Sequence, residues 1–329
     1  MSALAALQLL LLAGLLFTSL AGLLVSAAVP LVLSRTEHWE PLRRHRALFL
    51  LSTSPVLIAQ ASVLAVIAPS LLSLLWPELD HCLAHGDHHV HLCWFHLPAQ
   101  VGRWWSWLPL LAGLCWLVCQ SVSSALALYR ASRCIAGLKA FDAGELEPGA
   151  RLLALELPLC VLAGLFRPTI LLSRGLLAQL SPQQLAVVLH HERAHAARHD
   201  ILRSLAARAG ASFLYPAARA RLLQALELAS EQCCDEQAAL RMRDRVCVAE
   251  TIVRVERALQ RAVTTAVPLT ASFGGPTVVA RVTALLDGPK PPGSIILVAL
   301  PLTLLLLTVL ASSASLHHLT ESLLGLILH

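Results

Sequence analysis

The chain has 329 residues, 57% of them hydrophobic and only 14% charged, and its mean hydropathy is +0.68. That balance excludes an ordinary soluble domain. The net charge of +5 does not point to nucleic acid, because the basic residues are dispersed rather than clustered.

Four charge-free stretches account for the composition: Ser2–Ser34, Ala47–Trp76, Trp104–Tyr129 and Ser294–Leu316. Each reaches the roughly 20 apolar residues that a helix needs to cross a bilayer core. Pro30, Pro55, Pro69, Pro109 and Pro301 lie in or near them, and membrane helices tolerate proline better than soluble ones do. The first stretch has no Lys or Arg before it and is too long for a cleaved leader, so it reads as a retained helix. Four basic residues (Arg35, Arg43, Arg44 and Arg46) separate the first two stretches, Arg103 alone separates the second and third, and twenty lie between the third and fourth. The positive-inside rule then places both chain ends outside and residues 130–293 in the cytoplasm. The expected architecture is an α-helical multi-pass membrane protein with four transmembrane helices and a cytoplasmic α+β domain. Three helices and an outer loop over 77–103 occupy residues 1–129, and a fourth helix with a short outer tail occupies 294–329.

The outer loop holds "DHCLAHGDHHVHLCWFH", residues 80–96, with six histidines, two cysteines and two aspartates. His85, His88, His89 and His91 lack the spacing of a structural zinc motif; the composition makes the loop a candidate additional metal site or simply a polar connector. Of the nine cysteines, only Cys82 and Cys93 face an oxidising side, so a disulfide scaffold is not expected.

In the cytoplasmic block, "FDAGELEPG" reads as a turn. "ARLLALELPLCVLAGLFRPTILL" reads as two or three short strands, and the strand near 168–172 is expected to align a substrate backbone by edge pairing. "SPQQLAVVLHHERAHAARHDILRSLAARAG" has a Ser cap, Pro at the first helical position and Gly210 near its end, which predicts one helix throughout. Two more helices are expected from Pro216 to about Arg243 and from about Val246 to Val263. A loop and short helix over "GGPTVVARVTALLDGPKPPG" lead into the last membrane stretch.

His191 and His195 stand four apart, on one helix face, and can hold a single ion. Glu192 lies about 100° round the helix, beside the ion rather than on it, where it can act as a base. Catalytic zinc sites use three protein ligands and one open position, so a third ligand is needed. Glu231 in "LELASEQCCDEQAAL" is the best candidate. Asp235 lies four residues further along the same face, placed to accept a hydrogen bond from the outer nitrogen of a ligating histidine. His199 stays in phase as an alternative ligand, His190 does not, and Cys233 and Cys234 are soft-ligand alternatives or small packing residues.

The run "RPTILLSRGLLAQLSPQQLAVVLHHERAHAARHD", then "ASEQCCDEQAA" and "ARVTALLDG", resembles the BlaR/MecR-like antirepressor metallopeptidases of bacterial membranes over most of 150–290. The resemblance implies a gluzincin-type zinc endopeptidase in which His191, His195 and Glu231 bind one zinc ion and Glu192 is the base. Asp235 is the matching acidic residue, and Arg281 matches an arginine near the site in related membrane gluzincins. It further implies a protein or peptide substrate: a cytoplasmic winged-helix repressor, or the protease itself. No Ser-x-x-Lys motif follows the last membrane stretch, so beta-lactam sensing is not expected. A quality-control protease of membrane proteins and a non-enzymatic metal sensor or transporter are the rival readings, and no direct contact with nucleic acid is expected.

Overall fold

The computed structural model describes residues 3–76, 104–266 and 275–328. The His-rich stretch, with Cys82 and Cys93, lies outside the described residues. Among those described, three helices are long and apolar enough to cross a membrane, within α1 (Ala3–Thr36), α2 (Pro41–Leu75) and α3 (Trp107–Lys139). α1 and α2 form an antiparallel hairpin. Their 34 and 35 residues rise about 50 Å, some 20 Å more than a hydrocarbon core of about 30 Å requires. The basic residues Arg35, Arg43, Arg44 and Arg46 lie at the connected ends.

The last apolar stretch is not one straight crossing. α10 (Ile296–Ala311) and α11 (Ser313–Leu328) meet at a 73° bend and count as a fourth span only if taken together. Adjacent serines mark the break, a common cause of kinks, and the Ser312 Oγ donates back to the Thr308 carbonyl. The residues expected to trail as a short tail are therefore helical. α11 packs on α2, with His317 Nδ1 2.7 Å from the Val66 carbonyl and its Nε2 3.0 Å from Glu321.

Between α3 and α10 lies a sheet-and-helix lobe. The "FDAGELEPG" turn is instead a strand and its hairpin: β1 (Asp142–Glu147) pairs antiparallel with β2 (Ala150–Leu153). Gly149 supplies the positive φ of +80° that the tight connection needs. Mostly exposed and rich in charge, β1 has none of the apolar alternation that reveals a strand. β3 (Cys160–Ala163) and β4 (Thr169–Ser173) complete a sheet of order β1-β2-β4-β3. β4 is parallel to β2 on one side and antiparallel to β3 on the other. Both its edges are used, so it offers no free edge for the pairing expected near 168–172; β1 and β3 are the outer strands.

A single turn, α4 (Arg174–Leu177), leads to α5 (Pro182–Arg198). α5 starts as the sequence predicts. The Ser181 Oγ accepts from the Gln184 N–H, the Gln184 side chain accepts from the Ser181 N–H, and Pro182 fills the first helical position. It does not run on to Gly210. His199 adopts φ 52°, ψ 44°, in the left-handed region, and the chain restarts as α6 (Asp200–Gly210). α7 (Pro216–Met242), α8 (Arg245–Ala266) and α9 (Gly275–Leu286) follow. Val187 of α5, Ala238 and Ala239 of α7, Val248 and Ile252 of α8 and Leu285 of α9 form one buried core.

The lobe is wedged into the membrane hairpin. Ala207, Ala211, Leu214, Leu222 and Leu226 share a buried cluster with Val25 and Val29 of α1 and Leu48, Leu51 and Ile58 of α2. Two glycines allow the approach: a Cβ at Gly210 would strike the Ser52 carbonyl, and one at Gly22 the Phe213 carbonyl. α3 differs, because it has no buried residue.

Candidate metal centre

One turn of α5 separates His191 from His195, and the two imidazoles converge with Nε2 atoms 3.1 Å apart. α7 runs across them and presents Glu231, whose Oε2 is 3.5 Å from His191 Nε2 and whose Oε1 is 3.4 Å from His195 Nε2. An ion with tetrahedral bonds of 2.0–2.1 Å holds its ligand atoms about 3.3–3.4 Å apart. The triad therefore has the ligand types and the mutual spacing of a three-residue zinc site, with the fourth direction left to water or substrate.

Each imidazole has an acid behind it. His191 Nδ1 lies 3.0 Å from Asp235 Oδ1. Asp235 is buried, and Arg281 of α9 grips it with two bonds of 2.8 and 2.7 Å while its remaining nitrogen reaches Glu231 at 3.0 Å. His195 Nδ1 lies 2.8 Å from Asp200 Oδ2, which also accepts from Ser230 at 2.9 Å, and the other oxygen accepts from Arg198 Nε at 3.1 Å. In both cases a fixed acceptor orients the ring so that Nε2 faces the centre.

The electrostatics follow from these contacts. Burial works against the ionised forms of Glu231 and Asp235, yet the carboxyls stay below their usual range. For Glu231 the hydrogen bonds to the two histidines and the charge of Arg281 prevail; for Asp235 the bonds to Arg281 and His191 do. Burial also opposes charge on His191 and His195, and the carboxylate partners outweigh it and raise both. The cluster is thus a negative pocket that competes for cations, whether protons or a metal.

The surrounding pocket, about 350 Å³, is lined by Glu192, His195, Asp200, Glu227, Ser230 and Glu231, with His45 of α2 and Leu162 of β3 in its walls. Glu192 is in the pocket but outside the triad. It lies beside the Cys160 thiol, which burial and then this carboxylate push well up. His199 caps the helix, exposed and off the ligand face. Burial pushes the Cys233 thiol up to about 11 and raises Cys234 as well. Cys234 lies on the Asp200 side of His195, 3.8 Å from the carboxylate.

All six residues singled out in the sequence come together here: His191, His195, Glu192, Glu231, Asp235 and Arg281. Asp200 was missed. Five residues past His195, it would point away on a continuous helix, and only the left-handed His199 swings it back. The one available signal was the His-Asp pair itself, since His is among the residues that enter the left-handed region more readily than most.

Residues 162–284 match the family model described as Peptidase family M48. The matched stretch runs from β3 to α9 and contains every residue of the centre. It supports a metallopeptidase domain carried by a chain with several membrane-length apolar helices. No curated protein and no solved structure matches the chain.

Proposed function

We propose that the chain is an integral-membrane zinc-dependent endopeptidase working at the cytoplasmic face of a bacterial inner membrane. The observation that carries this is the His191–His195–Glu231 triad, its Nε2 atoms 3.1 Å apart and each within 3.5 Å of a Glu231 oxygen, with Glu192 in the wall of the same pocket. The basic connected ends of α1 and α2 support the orientation, because His45, among those arginines, lines the pocket.

His191, His195 and Glu231 would hold one zinc ion, which when bound supplies a Lewis acid for the scissile carbonyl and makes water easier to ionise. Asp235 and Asp200 fix the imidazoles, and Arg281 acts through Glu231 and Asp235 as a positioning residue. Glu192 takes the proton of the attacking water and returns it to the leaving nitrogen. β3 pairs with β4 alone among the described strands, so its outer edge can align an extended peptide beside Leu162. The motif resemblance supports a signalling role, with a repressor or the protease itself as substrate.

Glu192→Gln tests the reading. The purified variant is expected to keep one zinc per chain and to lose at least about a hundredfold in peptide cleavage, the lower range for a general base. Undiminished cleavage with full zinc would remove Glu192 from the chemistry.

A further inference from the structure

α1, α2 and α3 do not close on one another. They enclose a cleft of about 1700 Å³, and α3 forms its far wall without burying a residue. Most of the lining is aliphatic; besides Ser19, whose hydroxyl donates to the Leu15 carbonyl, and the indoles of Trp107 and Trp116, three polar side chains of the helices interrupt it: Thr18 of α1, Gln60 of α2 and Gln120 of α3. Counted from the helix ends remote from the peptidase lobe, each lies about 20 Å along, at 1.5 Å per residue. Thr18 and Gln60 lie near one level, since Gly14 meets Val63, and Gln120 lies about a turn nearer the lobe, since Gly113 meets Leu15. Thr18 is satisfied by the Gly14 carbonyl. The amides of Gln60 and Gln120 make no hydrogen bond among the described residues, and an amide left unpaired in hydrocarbon is costly.

The inner end of the cleft carries Arg208 and Arg219, and among the described residues no acidic one lines it. Arg208 bonds only the Ser204 hydroxyl, and Arg219 has no side-chain partner among the described residues. Arg208 and Leu223 also line the pocket of the metal centre. The intramembrane cleft and the catalytic pocket are therefore adjoining rooms.

We propose that the cleft docks a transmembrane helix of the substrate, one with a hydrogen-bonding side chain at mid-span and acidic residues at its inner border. Lipid tails would leave the two amides unpaired, whereas a polar residue on a helix satisfies them. The acidic border meets Arg208 and Arg219, and the chain beyond it passes along the shared wall to the metal centre. The proposal rests on the endopeptidase reading. Of the substrates named above, it selects membrane-anchored polypeptides over a soluble repressor.

The test uses the full chain with Glu192→Gln, in nanodiscs of phosphatidylcholine, and labelled leucine–alanine transmembrane peptides. A central Asn is expected to tighten binding about tenfold over a central Leu, the worth of one or two interhelical hydrogen bonds. Gln60→Leu with Gln120→Leu is expected to erase that advantage and leave the central-Leu peptide bound as before, which also shows that the variant is folded. Replacing an Asp pair at the inner border with Lys is expected to weaken binding severalfold, and Arg208→Glu with Arg219→Glu to reverse the preference. Equal affinity for all peptides, as for a cleft filled by lipid or a second copy, overturns the proposal, and so does an Asn advantage that survives the double Leu variant. If the Glu192 parent cleaves casein but its Gln variant does not discriminate between peptides, the docking site fails alone. If peptides are discriminated and nothing is cleaved, the endopeptidase reading fails alone.

Discussion

His191 and His195 are oriented by the same device, built from different parts of the chain. Behind His191, Asp235 arrives from α7 and is locked by Arg281 from α9, so three separate helices must pack correctly before the ring is fixed. Behind His195, Asp200 arrives from five residues downstream, through the break at His199, and is locked by its near neighbour Arg198 as well as by Ser230. One half of the centre depends on tertiary docking, and the other is largely local. A disturbance of α9 should therefore reach His191 and spare His195.

The largest effects should come from the ligands, where the two halves cannot differ. His191→Ala, His195→Ala and Glu231→Ala are each expected to fall well below one zinc per chain by metal analysis, since two ligands hold zinc poorly. Full zinc in Glu231→Ala would take Glu231 out of the set. Next come the supporting acids. Asp235→Asn and Asp200→Asn are each expected to weaken zinc affinity about 10- to 100-fold in chelator competition, Asp235 more so because the change takes from Arg281 one acceptor and its counter-charge in a buried setting. Equal losses would mean that the α9 contact adds nothing.

Leu285→Ala sharpens the contrast further. Leu285 is 2% exposed, and removing it should cost about 2–5 kcal/mol of stability. Its effect on zinc affinity should add to that of Asp200→Asn and overlap with that of Asp235→Asn, because only the latter shares the α9 contact. The smallest effects belong to His199. His199→Gly should keep zinc and change the thermal midpoint little, since glycine enters the left-handed region freely. His199→Ile should cost about 1–2 kcal/mol in that conformation and draw Asp200 away from His195. If His199→Gly loses zinc, the side chain has a role that its exposed position does not show.

The same contrast explains how much was legible in the sequence. Spacing along a regular helix could be read: Ser181 and Pro182 start α5, His191 and His195 share a face, and Glu231 and Asp235 repeat four apart on α7. Arg281 was found through its motif context, because no pattern links α9 to α7 in advance. Asp200 was hidden by a single residue's φ. β1 was hidden by its charges, and the Ser312 bend by an apolar run that reads the same whether straight or broken. Hydropathy marked α2 and α3 alike as membrane-length helices. It reports the surrounding solvent, and so could not show that α2 carries much of the fold on its sides while α3 stands apart.

The wedge of the peptidase lobe into the membrane hairpin has a consequence for what counts as a unit of this protein. Leu214, Leu222 and Leu226 find their partners on α1 and α2, and a wall of the catalytic pocket is His45, at the head of a transmembrane helix. The boundary at residue 130 that composition suggests is therefore no seam along which the molecule comes apart. Cut there, the lobe would turn part of its own core outward as a sticky apolar face. Anchor and enzyme should melt together, as one cooperative body, with the bilayer as part of what keeps the metal centre in shape.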